Sequence, residues 1–184
     1  MKTVVRSGMF ETNSSSAHTL VYTDKKKIKL LPPLDFQYLV DNDDNLIHIK
    51  LYTYGREIDC LKSLDEKLSY IATGIVGWCD NNIETERYSF RSPTEDDVPP
   101  KEWRAWLSDK EKVENDPEWQ MVERVVKKYL EPCGCNGIII EPSSGMIDHQ
   151  SEGFYKKIID GKNTTLEQVL FSDMVYILVD HDEH

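Results

Sequence analysis

The stretch Leu46-Ile47-His48-Ile49-Lys50-Leu51-Tyr52 decides how this chain is expected to fold. Apolar residues occupy every second position, and polar or aromatic residues stand between them. Because successive side chains of a strand point to opposite faces, this alternation predicts a strand with one buried and one wetter face. His48 falls on the wetter face, which indicates an exposed residue rather than a catalytic one.

The pattern becomes helical downstream of this strand. Ser63 is followed three residues later by Glu66, the spacing of a capping box, and a helix is predicted from Ser63 to about Trp78. Its apolar residues recur at helical spacing, at Leu64, Leu68, Ile71 and Ile75. A stripe of this kind predicts packing against the core rather than a cofactor site.

Strands and helices are mixed along the rest of the chain. Further strands are predicted at 3–5, 19–23, 137–141 and 174–179, and further helices at 101–113, from the N-cap Asp116 to Pro132, and from Thr164 to Leu170, with Thr164 and Glu167 as the cap. Residues 180–184 are expected to form a flexible tail. The order of elements predicts an α+β fold in a single domain over residues 1–184, with a central, largely antiparallel sheet and helices packed on one side.

The composition narrows the class of partner. The 184 residues include 33 acidic and 22 basic side chains, for a net charge of −11. Direct binding of nucleic acid normally requires a basic face, so a basic protein partner is favoured, although the charge can also serve solubility alone. The sequence contains no long apolar stretch and no secretory leader, so no membrane contact is expected and a cytoplasmic location is predicted.

The acidic side chains are dense in one segment, residues 92–116, which prolines punctuate. This segment is predicted to protrude and to contact the partner. The carboxylates expected to make that contact are Glu95, Asp96, Asp97, Asp109, Glu111, Glu114 and Asp116. Trp103 and Trp106 lie on the same predicted helix and are expected to form its buried stripe.

Two of the four cysteines are clustered in Cys133-Gly134-Cys135. A pair of this kind can supply two thiolates to a metal, and Cys79 with His149 could complete a tetrahedral structural zinc site. The spacing is not that of a typical zinc motif, however. The sequence therefore favours buried free thiols and no cofactor, with zinc as the alternative.

Two polar motifs carry the residue types needed for catalysis. They are Asn13-Ser14-Ser15-Ser16-Ala17-His18 and Asp148-His149-Gln150-Ser151. If they meet in space, a nucleophilic or general acid–base site could use Ser14, Ser15, Ser16, His18, Asp148 and His149. The alternative is structural: a polar turn that enters a strand, and histidines that are hydrogen-bonded in the packing.

The first motif belongs to a longer stretch that resembles a known group of proteins. Arg6-Ser7-Gly8-Met9-Phe10-Glu11-Thr12-Asn13-Ser14-Ser15-Ser16-Ala17-His18, with Ile147-Asp148-His149-Gln150-Ser151, is similar to small proteins from phages and mobile elements of Firmicutes. Many of those proteins carry threonine at the position of Ala17. In size, acidity and N-terminal motif the chain also resembles the type II-A anti-CRISPR proteins, phage-borne inhibitors of Cas9.

This resemblance implies an inhibitor in the cytoplasm of a bacterial host. It would bind Cas9, with or without guide RNA, and block DNA binding or cleavage. Cas9 holds nucleic acid in positively charged channels, which an acidic protein complements. Two alternatives stay open: a small hydrolase or group transferase on a nucleotide-like substrate that uses the two polar motifs, and a structural interaction protein.

Overall fold

The computed structural model describes residues 5–8, 16–22, 25–55, 59–76, 101–143, 145–147, 154–161 and 164–181. The strands in these ranges are β1 (Val5–Gly8), β2 (Ser16–Tyr22), β3 (Leu46–Ile49), β4 (Thr53–Tyr54), β5 (Asp59–Leu61), β6 (Gly137–Ile140), β7 (Met146–Ile147) and β8 (Val175–His181). The α-helices are α1 (Leu64–Val76), α2 (Lys101–Glu114), α3 (Pro117–Tyr129), α4 (Phe154–Asp160) and α5 (Leu166–Phe171). None of the helices in these ranges has the length and apolar character required to cross a bilayer.

Four strands form an antiparallel sheet in the order β1-β2-β8-β5. Its longest ladder joins β2 to β8, from Ser16 opposite His181 to Tyr22 opposite Val175. Helices and strands contribute to one contiguous cluster of buried apolar side chains. The predicted α+β single domain with a largely antiparallel sheet is therefore confirmed.

β3, the strand predicted from the alternation in residues 46–52, pairs outside this sheet. β3 lies parallel to β6, with Leu46 opposite Gly137 and Ile49 opposite Ile140, and β4 lies parallel to β7. Parallel strands need a long crossover connection, and the chain passes through α1, α2 and α3 between β3 and β6. Strands far apart in sequence are thereby brought side by side.

β3 confirms the predicted alternation but ends before Tyr52. The buried side chains are those expected, at Ile47, Ile49 and Leu51. Beyond the strand, side chains take the place of a partner strand: Leu51 N donates to Ser143 Oγ at 2.8 Å, and Tyr52 N donates to Thr73 Oγ1 at 3.3 Å. These bonds satisfy the backbone without a ladder, so the strand is shorter than its sequence pattern.

α1 is the central helix and contacts α2, α3, α4, α5, β3 and β7. Glu66 Oε2 accepts hydrogen bonds from Lys62 N (2.8 Å) and Ser63 N (2.9 Å), which confirms the predicted start of the helix. The predicted apolar stripe is buried, but so are residues on the other faces. Small side chains permit this, since a Cβ on Gly74 would lie 2.8 Å from Tyr155 Cδ1.

One charged residue of α1 is buried in the same core. Lys67 is fully inaccessible to solvent, and its Nζ donates to Ser172 O at 2.9 Å. Burial lowers the pKa of Lys67 to about 8. Helical periodicity does not indicate this residue, because the elements that cover it come from distant parts of the chain.

Two predictions near the C-terminus are wrong by small margins. The cap of α5 lies one residue later than predicted: Thr165 Oγ1 accepts from Gln168 N (3.2 Å), and Thr165 N donates to Gln168 Oε1 (3.0 Å). The predicted flexible tail also begins too early. Asp180 and His181 belong to β8, because they pair with Ala17 and Ser16 of β2.

The end of the segment predicted to protrude is packed into the fold. α2 contacts α1 and α3, Val113 is fully buried, and Lys112 Nζ donates a hydrogen bond to Val76 O at the end of α1. This end of α2 is therefore anchored to the core by Val113 and Lys112, and the protrusion of segment 92–116 stays a prediction. Residues 92–100 and the side chains of Trp103 and Trp106 lie outside the described residues.

Candidate functional site

A cavity of about 500 Å³ opens where β3, β4, β5 and the first turns of α1 meet. We call it the acidic cleft. Its lining residues are His48, Ile49, Lys50, Tyr52, Thr53, Tyr54, Asp59, Leu61, Asp65, Glu66, Ser69 and Glu141. Its volume falls in the range of small-ligand sites, which is roughly 300–1,000 Å³.

Four carboxylates converge on this cleft from three elements, namely Asp59 of β5, Asp65 and Glu66 of α1, and Glu141 after β6. Among the described residues, the cations that line the cleft are Lys50 and His48. Burial raises the pKa of Glu66, but hydrogen bonds from the backbone of Ser63 and Lys62 outweigh it and leave this pKa below its ordinary value. The described residues that line the cleft therefore carry a net negative charge at neutral pH.

The cations of the cleft are already paired. His48 Nδ1 lies 3.1 Å from Glu141 Oε1, and His48 Nε2 lies 3.0 Å from Asp44 Oδ2. Both ring nitrogens face carboxylate oxygens, so the doubly protonated, charged imidazole is the form that satisfies both contacts. Lys50 Nζ lies 3.3 Å from Glu141 Oε2. Burial lowers the pKa of His48, but the hydrogen bonds and charges of Asp44 and Glu141 raise it above 6.5 overall.

Replacing His48 with glutamine is expected to remove a pH-dependent part of the stability. Because the folded-state pKa of His48 is raised, its contribution is complete below 6.5 and is lost as pH rises through the folded-state value. Exposed ion pairs are worth about 0.2–1 kcal/mol each. Urea unfolding at about pH 6 and about pH 9 should show the parent losing up to ~1 kcal/mol relative to the variant. Parallel pH profiles would exclude His48 as the titrating group.

The floor of the cleft contains two buried hydroxyl groups. Tyr54 is 4% exposed and Ser69 is 2% exposed, and both line the cavity. Within the described part of the chain, neither hydroxyl has a hydrogen-bond partner. Burial, followed by the negative charge of Asp59, raises the pKa of Tyr54, so its hydroxyl stays protonated. The cavity lining therefore includes two hydroxyl groups that no described residue engages.

His18, predicted as a catalytic residue, lies in the core behind the cleft. It is 2% exposed, and its Nδ1 lies 2.5 Å from Tyr70 Oη. The ring of Phe154 is 6.2 Å from that of His18, and the ring of Tyr54 is 5.2 Å from that of Tyr70. In these contacts His18 packs as the structural alternative predicted, and Tyr70 connects it to the floor of the cleft.

The structure describes one other residue of the predicted catalytic set. Ser16 lies in β2 opposite His181, whereas Ser14, Ser15, Asp148 and His149 lie outside the described residues. The neighbours of the second motif are described: Ile147 pairs with Tyr54, and Phe154 contacts His18. The described residues on both sides of the second motif, Ile147 and Phe154, therefore lie next to the aromatic rings that pack around His18 and Tyr70.

The predicted partner-binding carboxylates have different roles. Asp116 caps α3, accepting from Glu118 N at 2.8 Å and Trp119 N at 3.1 Å. Glu114 pairs with Lys110 at 3.6 Å, and burial raises the pKa of the half-buried Asp109. Glu111 is exposed. The remaining three, Glu95, Asp96 and Asp97, lie outside the described residues.

The two clustered cysteines are buried thiols. Cys133 Sγ donates to Pro33 O at 3.1 Å, and Cys135 Sγ donates to Gly137 O at 3.5 Å. Burial raises the pKa of both thiols, which favours the protonated form. Among the described residues no group of three or more His, Cys, Asp or Glu side chains is placed to hold a metal. Cys79 and His149 lie outside these residues, so the zinc site stays a prediction.

Comparison with protein-family models, with curated proteins and with solved structures finds no match to this chain. The evidence for a function therefore comes from the lining residues of the cleft, their charges and their hydrogen bonds. Sequence reasoning missed Tyr54, Asp59, Asp65, Ser69 and Glu141 as one group. The one sequence signal for this cleft was the wetter face of β3, because His48 and Lys50 on that face both line the cleft. Their partners come from elements that only the tertiary fold assembles.

Proposed function

We propose that this protein is an inhibitor that binds a basic protein partner, and that the partner is Cas9, alone or with its guide RNA. The observation that carries the proposal is the acidic cleft, where four carboxylates from three elements and two cations that are already paired line one cavity. A negative concave surface favours encounter with a positive one and resists polyanions. Binding through such a surface requires charge complementarity and no catalytic residue.

The choice of Cas9 rests on two resemblances: that of residues 6–18 and 147–151 to phage proteins, and that of the chain to type II-A anti-CRISPR proteins in size, acidity and N-terminal motif. The net charge of −11 is consistent with it. Cas9 holds its heteroduplex and displaced strand in basic channels that an acidic protein can block. Inhibition by occupation of such a channel would prevent DNA binding or cleavage.

A cleavage titration with purified protein tests this proposal. Inhibition should be complete near one molar equivalent of Cas9, and the two proteins should co-purify in a pull-down. Both effects should weaken as the salt concentration rises, because salt screens charge complementarity. Absence of binding and of inhibition across several Cas9 orthologues would overturn the proposal.

Charge variants locate the contact. The double variant Asp59→Asn, Asp65→Asn should weaken inhibition at least about tenfold, which corresponds to ~1.4 kcal/mol of lost interaction. The matched variant Glu111→Gln, Glu114→Gln removes the same charge from α2 and should inhibit like the parent. If instead the α2 variant, or reversal of charge over residues 95–97, abolishes inhibition, the contact lies on segment 92–116.

A second candidate is the small hydrolase or group transferase that acts on a nucleotide-like substrate. It is favoured by the contacts of Ile147 with Tyr54 and of Phe154 with His18, which flank the Asp148-His149 motif. The two functions differ in stoichiometry. A catalyst acts at substoichiometric amounts and is inactivated by His149→Ala, whereas a blocking inhibitor titrates near one to one and tolerates that substitution.

A further inference from the structure

We propose that the acidic cleft binds a guanidinium group, supplied by an arginine side chain of the protein partner. This inference deepens the proposed function and rests on it. It follows from which groups of the cleft are already satisfied, which are not, and what kind of ligand could satisfy them.

The satisfied groups are the cations. Lys50 and His48 both pair with Glu141, and His48 also pairs with Asp44, so neither offers an open site to an anion. Glu66 is also engaged, since it accepts two backbone hydrogen bonds at the start of α1. An anionic ligand would be repelled by the negative charge of Asp65.

The unsatisfied groups can all accept hydrogen bonds. Asp65 lines the cleft and has no hydrogen-bond partner among the residues described. Tyr54 and Ser69 line the cavity as residues that are more than nine-tenths buried, and within the same ranges their hydroxyls have no hydrogen-bond partner. Both hydroxyls are therefore open to a ligand that supplies hydrogen-bond donors. The positive end of the α1 dipole is offset by Asp65 and Glu66 in its first turn.

An aromatic face selects guanidinium over a compact ammonium. Tyr52 is 52% exposed at the cleft, and its ring stands at 72° to that of Tyr54 with 6.4 Å between centroids. A planar guanidinium can stack on an exposed tyrosine while its five N–H groups reach acceptors around its edge. An ammonium has three donors and no flat face.

Titrations of the full chain with blocked amino acids, followed by amide NMR, test the inference. N-acetyl-arginine methylamide should shift the amides of residues 65–69 and saturate with a Kd of about 1–10 mM, as expected for so small a ligand. The lysine compound should bind at least about threefold more weakly, and the neutral citrulline compound at least about tenfold more weakly. Equal binding of citrulline would overturn the inference.

Cleft variants and their control complete the test. Asp65→Asn and Ser69→Ala should each weaken arginine binding about fivefold or more, which corresponds to ~1 kcal/mol, while Glu111→Gln should leave it unchanged. Retained binding in both cleft variants would overturn the proposed site. Agmatine distinguishes the source of the guanidinium: if it binds at least about tenfold more tightly than a Gly-Arg-Gly peptide, a free small molecule replaces the arginine side chain as the ligand.

The inference and the proposed function can fail separately. One-to-one inhibition of Cas9 without guanidinium binding would refute the inference and leave the inhibitor function standing. If the protein binds guanidinium but neither binds nor inhibits Cas9, the inhibitor function is refuted and the guanidinium site stands.

Discussion

The Tyr70→Ala variant is expected to lose about 3–5 kcal/mol of unfolding free energy. Tyr70 is fully buried in α1, and its ring contacts those of His18, Tyr54 and Phe154 at centroid distances of 5.6, 5.2 and 6.2 Å. Removing it leaves a cavity among four elements and leaves His18 Nδ1 without the Tyr70 hydroxyl. In a protein of this size the loss should lower Tm by roughly 6–20 °C.

The Tyr70→Phe variant separates the two contributions. It keeps the ring and removes only the hydroxyl, so a loss of about 1–3 kcal/mol is expected from the buried His18. Tyr38→Ala is the control, because Tyr38 is 73% exposed, and it should change stability by less than about 0.5 kcal/mol. Thermal and urea unfolding measure all three. A Tyr70→Phe variant as stable as the parent would show that the contact with His18 does not stabilise the fold.

The Gly145→Ala variant is expected to destabilise the protein by about 3 kcal/mol and to weaken ligand binding in the acidic cleft. A Cβ at Gly145 would lie 2.5 Å from both Tyr52 N and Tyr52 O, and 2.8 Å from Leu51 C. These are backbone atoms, which cannot rotate away as a side-chain end can. The segment 51–52 would have to shift, and Tyr52 is part of the cleft wall.

Gly134→Ala is the matched control for this prediction. Gly134 has φ of +74°, so alanine is strained there, but among the described residues the nearest atom to its Cβ would be Asn45 Oδ1, at 3.9 Å. We expect a loss of about 1–2 kcal/mol with unchanged arginine binding. Urea unfolding and the arginine titration measure both variants. A Gly145→Ala protein with full stability and full binding would contradict the close approach of the two segments.

Much of the fold could be predicted from local patterns. The alternation from Ile47 to Leu51 predicts the buried face of β3, and the Ser63 and Glu66 spacing predicts where α1 begins. Asp116 before Pro117 predicts the start of α3. Each of these signals depends on residues within one element, where the period of the backbone or the unsatisfied amides of a helix end determine the choice.

The candidate site could not be predicted in the same way, because its residues are far apart in the sequence. Helical spacing predicts that Leu64 and Leu68 are buried, but it cannot indicate that Ser69 and Tyr70 are covered from the other side. Likewise, the polar motif around His18 favours chemistry, yet the fold buries that histidine against Tyr70. Carboxylates were sought where they are dense in the sequence, whereas those of the cleft are spread from Asp59 to Glu141.

The sequence alone therefore determined the type and approximate position of the longer elements, the α+β class and the acidic character of the protein, whereas the short elements β4, β5, β7 and α4 were not predicted. Tertiary structure decided that β3 pairs parallel with β6, that α1 lies at the centre, and that Asp65, Tyr54, Ser69 and Glu141 share one cleft. The physical reason is the range of the interactions. Backbone periodicity and capping act over a few residues, whereas a cleft forms only where distant elements pack together and leave polar groups facing the same space.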